Sequence, residues 1–391
     1  MAIGNMLRDS IVAVEEESTE GTYVAPSGTG VYIQVEPDIS ITPSKELNER
    51  EFINASVGLS KPLLGMKSVE ASLSFEARSG GNGGTASDYD YLFKNVLGTR
   101  TATSDATTTG SSSTTTTIDL VSASGIVAGD MVYTKKGSGA SSVRWVTGVA
   151  SNTLTVAPAM AAGEVPGAGV TVSGTVNYKP KDTVGNYLSL STYWANTVRE
   201  AVVGGQITNL SLANWEVGKV ARWSCTMQGL TYTRIDGAAP HTPAYISQVP
   251  PVLLSASIFQ DATEIKIKSF SLSIDNEIAK LTNIGDSNGA FQQILTKRTV
   301  TGSFAPYMDD TSVANFTAFN ADTAFSIMLV AGTVDSNGDF NEGSITGIYL
   351  PQCIFTANSI TNEDGVLMES LEFRAHRGTE GTSDEVYIGH G

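Results

Sequence analysis

The feature that most constrains this chain is an order of alternating segments that occurs twice. Ile39-Ser-Ile-Thr42 and Phe270-Ser-Leu-Ser273 both alternate apolar with small polar residues, the period of a strand with one buried face. They stand 231 positions apart, and at the same offset residues 68–75 face residues 299–306. Val69 and Leu73 match Val300 and Phe304 on the apolar side, and Ser72 matches Ser303 on the polar side. A helical segment follows each pair. Residues 87–97 carry Tyr89, Phe93 and Val96 at three- and four-residue spacing, with Ser87 or Asp88 as N-cap. Residues 310–319, from Asp310 on, carry Val313, Phe316 and Phe319 in the same way. Each helix is expected to have one apolar stripe.

The match resumes at a second offset. Residues 187–194 lie against 324–331, and residues 205–212 match 343–350 at an offset of 138 with four of eight identical. Final strands over 220–234 and 366–377 close the two series. Matched strands in one order, with a helix in the same slot, predict two copies of one β unit. The drop from 231 to 138 assigns 93 extra residues to the first copy, after its helix. They open on a Ser/Thr run at 107–117, as a linker would. Short strands follow at 117–121, 130–133, 143–147, 153–156 and 170–178, and the stretch reads as a small β-barrel or sandwich inserted in a loop. The expected fold is therefore mainly β: two tandem β-sandwich or barrel units, each with one flanking α-helix, plus an inserted small β domain. The first unit covers 1–100 and 183–240, the insert 101–182, and the second unit 241–391.

Composition bounds the chemistry. Charged residues are 16% of the 391, below the ~25% usual for soluble domains. The 24 basic and 40 acidic side chains leave −16, which disfavours a tight, wrapping contact with nucleic acid but does not disfavour a surface past which DNA slides. Residues 101–182 hold five acidic and five basic side chains, so the net charge sits on the repeated scaffold. The N-terminus lacks the basic start and apolar run of a secretion signal, and no window approaches ~18 apolar residues. Cys225 and Cys353 are expected as buried free thiols of a reducing compartment, the cytoplasm in which the chain folds. Sequons at Asn54, Asn209 and Asn315 carry no weight without an export signal.

The acidic stretch 335–343 places oxygen ligands at alternate positions, but Phe340 stands where a calcium loop needs glycine and Thr346 where it needs Glu, so a hairpin turn is expected. Residues 284–289 read the same way. His241, His376 and His390 are too scattered for a triad or zinc site, and His390 is expected in a mobile tail. No catalytic, metal or cofactor-binding residue is assigned, no cofactor is implied, and no enzyme is expected.

The segments together resemble the tail tube proteins of long-tailed, non-contractile bacteriophages. A short strand, Ile11-Val-Ala-Val-Glu15, precedes Glu17-Ser-Thr-Glu-Gly-Thr22 and Ala25-Pro26, similar to that family's Glu-Thr-x-x-Gly-Thr…Ala-Pro opening. Arg298-Thr-Val-Thr-Gly-Ser-Phe304, Phe325-Ser-Ile-Met-Leu329 and Ile348-Tyr-Leu-Pro351 resemble the family's body. The likeness covers most of 1–100 and 183–391, and the insert departs from it. It implies a structural subunit of the virion tail, assembled in the host cytoplasm into stacked rings, with hairpins of neighbouring units joined into an inner barrel that conducts DNA. A duplicated chain would form the ring as a homotrimer with pseudo-sixfold symmetry, a homohexamer being the alternative. The implied partners are further copies of the chain, the tape-measure protein and the tail-end proteins; DNA passes without specific binding, no membrane anchor is involved, and the insert would sit on the outer wall.

Two groups of residues acquire roles on that reading. The connection over 45–66 exceeds a normal hairpin loop, and Glu46, Glu49, Arg50 and Glu51 are expected to make an inter-ring contact. Glu70, Ser72, Ser74, Thr301 and Ser303 lie on the polar faces of strands whose other faces pack inward, and are expected to line the lumen. The rival readings are another virion protein, such as a head decoration or spike subunit, and a carbohydrate-binding surface β-sandwich. The latter would cluster exposed aromatics, whereas Trp145, Trp194, Trp215 and Trp223 are spread over separate segments.

Overall fold

Alternation becomes strand wherever one face has a core to cover. The computed structural model describes residues 6–53, 58, 60–104, 107–135, 141–183, 186–213, 215–286, 288–309, 311–378, 380 and 382–391. Asn54 and Asp310, named above as a sequon and a helix start, lie outside them. The first series of elements is β1 (Ile11–Glu17), β2 (Ser40–Asn48), β3 (Leu63–Glu76), α1 (Asp90–Leu97), β4 (Tyr187–Trp194), β5 (Val198–Ala213), β6 (Arg222–Gly229) and β7 (Thr231–Asp236). The second is β8 (Ser257–Gln260), β9 (Ile267–Thr282), β10 (Ala290–Pro306), α2 (Ser312–Asn320), β11 (Phe325–Ala331), β12 (Thr346–Glu363), β13 (Val366–Ala375) and β14 (Tyr387–His390).

The two series pair in the same order. β5 runs through both layers of a sandwich: its first half pairs with β4 and β7, its second half with β6, which continues to β3 and β2. β12 does the same with β11 and β14, then with β13, which continues to β10 and β9. β1 flanks β4 as β8 flanks β11. In β3, Val69, Ala71, Leu73 and Phe75 are buried and alternate with Glu70, Ser72 and Ser74, so the strand has one core face and one wet face.

The ladders also measure the offsets. Ala71 pairs with Met227 and Ile41, and Gly302 pairs with Phe373 and Leu272, so the hairpins are equivalent at 231. The return strand differs from expectation. Leu188 pairs with Gly205 before a bulge, as Phe325 pairs with Cys353, so Gly205 occupies the place of Cys353, 148 residues on, and not that of Gly343. The cause is loop length: three residues, 195–197, join β4 to β5, whereas fourteen, 332–345, join β11 to β12. Leu188 itself answers to Phe325, 137 residues on, so the extra residues do fall after α1; the shorter β4–β5 connection gives eleven of them back, and the Gly-x-Ile-Thr likeness matched a loop end to a strand interior.

α1 begins at Asp90, and Ser87 and Asp88 do not cap it by side chain; Asp88 accepts from the Ile246 N–H at 3.0 Å instead. It ends at Gly98, left-handed at φ 99°, whose N–H returns to the Lys94 carbonyl. Its expected stripe is buried, and Phe93 packs against Phe75, Tyr178 and Trp223. The stripe expected of α2 is not. Val313 and Phe316 are exposed, and the helix turns Ser312 and Asn315 inward, where the Asn315 amide donates to Glu369 at 2.9 Å. That carboxylate, itself buried, needs a donor, and its pairing overrides the apolar periodicity.

The inserted segment forms its own six-stranded sheet with its own small core. The strand expected over 170–178 is two: Thr171–Ser173 belongs to that sheet, whereas Val176–Pro180 pairs with Gly98–Ala102 and with β14 in the main body. One face of the insert, with Met131, Tyr133, Val143 and Trp145, packs on Met328, Val330, Ile345 and Tyr349 of the second series. His390 is therefore no tail residue. It is 1% exposed in β14, between Val176 and Thr346, with its ring on Phe93 and Tyr178. Cys225 and Cys353 are both free and buried, and burial pushes the Cys225 thiol up to about 12.

Candidate assembly surface

The inner layers of the two series form one sheet. β5 and β9 pair antiparallel through Asn209↔Asp275, Leu210↔Ile274 and Ser211↔Ser273. The Asn209 amide ties the seam further, donating to the Ser273 hydroxyl at 2.8 Å and to Asp275 at 2.6 Å. The result is an eight-stranded antiparallel sheet in the order β2–β3–β6–β5–β9–β10–β13–β12. Among the described residues both outer edges are unpaired: β2 pairs only with β3, and residues 354–363 of β12 only with β13. Long open edges are sites for another chain to add strands.

All five residues expected along a lumen lie on the wet face of this sheet. Ser72 stands opposite Ser40 and Thr226, Glu70 opposite Thr42 and Gln228, and Ser74 opposite Ser224. Thr301 stands opposite Ser273 and Arg374, and Ser303 opposite Ser271 and Glu372, with the Ser271 and Ser303 hydroxyls 2.8 Å apart. The face is therefore paved with small hydroxyls and sparse charges, because the apolar half of every alternation is spent on the core behind it.

Each inner hairpin extends past the sheet as an arm. The second arm, the outer halves of β9 and β10, lies across the ends of β5, β6 and β3. Its Lys280 ammonium donates to the Gly229 carbonyl at 3.0 Å, and the Gln293 N–H donates to Glu20 at 2.7 Å while its amide reaches the Gly204 carbonyl. Gly289 at its tip lies against Met66; a Cβ there would meet the Met66 side chain at 2.7 Å. The seat is acidic: burial raises the Glu20 pKa, and the charge of Glu17 adds to it. At the root of the arm, Asn276 donates to the Val96 and Ile207 carbonyls at 3.0 and 3.2 Å. Arg298 pairs with Glu385 through Nη1 at 2.9 Å, directs Nη2 to the carbonyls of Val96, Leu97 and Lys181, and donates from Nε to Asn276 Oδ1, closing the C-terminus of α1.

The first arm has no such seat. Glu46, Glu49, Arg50 and Glu51 are exposed, as are Leu47 (50%), Phe52 (58%), Leu63 (54%) and Leu64 (62%). The structure brings the four charged residues together on one arm and leaves that arm in solvent. A residue group that sequence reasoning missed lies at the far end of the molecule. Lys297, Arg374 and Arg377 line a groove beyond the end of β13 together with His376, Lys181 and Arg298. The three have no ionic partner among the described residues, in a chain of net charge −16.

The acidic stretch 335–343 is a turn in which the Asp335 carboxylate accepts the N–H groups of Asn337 and Asp339 at 2.8 and 3.1 Å. Among the described residues no group of three or more His, Cys, Asp or Glu side chains is placed to hold a metal ion. Compared with known proteins, residues 8–375 match the family described as phage tail tube protein. No curated protein matches the chain.

Proposed function

Because the chain belongs to the phage tail tube protein family, we propose that its open-edged sheet is one third of a tube wall, closed into a ring by three copies. The observation that carries this reading is the seam between β5 and β9. The unpaired edges of the sheet are β12, the counterpart of β5, and β2, the counterpart of β9. The β12 edge of one copy therefore meets the β2 edge of the next as β5 meets β9 inside the chain. Three copies supply about 24 strands, which at ~4.8 Å spacing and ~40° tilt close at roughly 48 Å between backbones. About 5 Å of side chain on each wall leaves a bore wider than a DNA duplex. A ring of six copies would be about twice as wide, far more than a DNA duplex needs.

On this reading residues 1–100 with 183–240, and 241–391, are the two repeated units, with Val176–Pro180 joining the main body, and the insert's own sheet from Thr107 to Ser173 decorates the outer wall. Glu70, Ser72, Ser74, Thr301 and Ser303 line the bore, where hydroxyls and scattered carboxylates let DNA pass without holding it. The arm bearing Glu46, Glu49, Arg50 and Glu51 joins copies. Rings stack in the host cytoplasm around the tape-measure protein and are finished by tail-end proteins. Negative-stain electron microscopy of the purified protein tests the reading. Hollow tubes whose end-on averages show three subunits and six inner units are expected; monomers at every concentration, or compact trimers without a channel, would overturn it.

A further inference from the structure

The repeat relates the two arms as well as the two edges, and it says where the free arm goes. The second arm crosses Gly204, Gly229 and Met66 of the first series. The ladder equivalences carry these positions to Gln352, Ala375 and Lys297 of the second series. Lys297 and Ala375 line the basic groove, and Gln352 borders it through its carbonyl, which accepts from the His376 N–H at 2.9 Å. The groove is thus the second series' copy of the seat that the first series offers to Lys280 and Gln293. No arm of the same chain occupies it, because the chain has only one other arm and that arm projects from the opposite edge of the sheet.

We propose that the arm of one copy, with Glu46, Glu49 and Glu51, lies in the groove formed by Lys297, Arg374 and Arg377 of the next copy in the same ring. The charges choose this pairing. Inside the chain the arm brings Lys280, whose ammonium donates to the Gly229 carbonyl; at the free seat the arm residue in its place is Glu49, and the seat presents Lys297, Arg374 and Arg377. The free arm is thus complementary in charge to the free seat, which favours this pairing. The free arm exposes Leu47, Phe52, Leu63 and Leu64; the seated arm buries Ala290 and Gln293 against its seat but still exposes Phe291 and Ile294. Lys67, exposed, takes the place of Arg298 and is carried to the C-terminus of α2, where a cation is favoured. The contact is lateral, within a ring, rather than between successive rings.

This rests on the self-assembly reading above, and the experiment separates the two. Assembled wild-type protein is treated with a zero-length carbodiimide, which couples carboxylates to amines in contact, and is run denatured and mapped by mass spectrometry. Expected are links from Glu46, Glu49 or Glu51 to Lys297, in a ladder that stops at the trimer. Tubes whose links from these residues go to other lysines, or whose ladder runs on past the ring size, overturn the seat while leaving assembly intact. Failure of the wild type to assemble at all overturns the earlier reading and this one with it. As a second arm, Glu46→Lys, Glu49→Lys and Glu51→Lys together should abolish tubes while leaving the monomer's melting unchanged. Adding Lys297→Glu, Arg374→Glu and Arg377→Glu should restore them; tubes from the first variant alone, or no recovery in the second, count against the proposal.

Discussion

His390 shows what a single buried residue contributes. Its Nδ1 lies 3.3 Å from the Thr346 hydroxyl, its Nε2 has no partner among the described residues, and the rings of Phe93 and Tyr178 enclose it at 5.1 and 5.7 Å. Burial lowers its pKa to about 4, so the folded chain holds it neutral. An unfolded histidine titrates near ~6.5. Between the two values the unfolded chain binds more protons, so this residue's contribution to stability is intact above about 6.5 and is lost as pH falls toward about 4. Glu17, Glu20, Asp88 and Asp90 act in the opposite sense: burial raises their pKa values, so the folded chain gains on acidification in their window. The histidine is therefore read by difference. Urea titrations from pH 7.5 to 4.5 should show wild type losing on the order of 1–3 kcal/mol relative to His390→Gln; parallel profiles would show that His390 is not held neutral. Nothing in the sequence placed it, since a penultimate residue reveals its long-range strand partners only in the fold.

At the scale of elements, legibility followed connection length. The inner hairpins were readable at 231 because β2–β3 and β9–β10 keep the same buried and wet positions over Val69–Phe75 and Val300–Phe304. The return strand was misplaced by ten residues because its two connections differ in length, and alternation alone cannot register a strand across a loop. The polar pairing of Asn315 with Glu369 likewise hid which side of α2 faces in. The docking of the insert was not legible at all, and it turns on one glycine. A Cβ on Gly347 would collide with the Trp145 ring, which stacks on Tyr349 at 5.5 Å. Gly347→Val should force the insert off that face at a cost of about 1–3 kcal/mol. The expected sign is a red shift of tryptophan emission that disappears in a Trp145→Phe background, with tube formation kept. An unchanged spectrum would mean that the insert tolerates the added side chain.

On the proposed reading the whole molecule is a wall segment, and the two faces of its sheet have different work. The core side takes the large apolar residues of the alternation; the other side is left with Ser72, Ser74, Ser303 and their short cross-strand neighbours, with few cations to grip phosphate beyond Arg374 opposite Thr301 and Arg222 opposite Glu76. The sequence showed which residues alternate, but not that one chain aligns them across eight strands, since pairing partners such as Val69 and Gly229 lie up to 160 residues apart. Glu70 is the exposed carboxylate best placed to test the bore. Its counterpart in the second series is Thr301, so a three-copy ring carries one Glu70 per copy and Glu70→Lys changes the ring by about six charges. At ~10 Å in water a charge pair is worth roughly 0.4 kcal/mol, cut further by salt over a Debye length of ~8–10 Å. The change thus turns weak repulsion into attraction of the order of 1 kcal/mol per ring, repeated at every ring that the DNA passes. Phage carrying Glu70→Lys should assemble normally and eject DNA several-fold more slowly at low ionic strength, recovering near 1 M salt, where the Debye length falls to about 3 Å. Ejection at the wild-type rate in low salt would place Glu70 away from the path of the DNA.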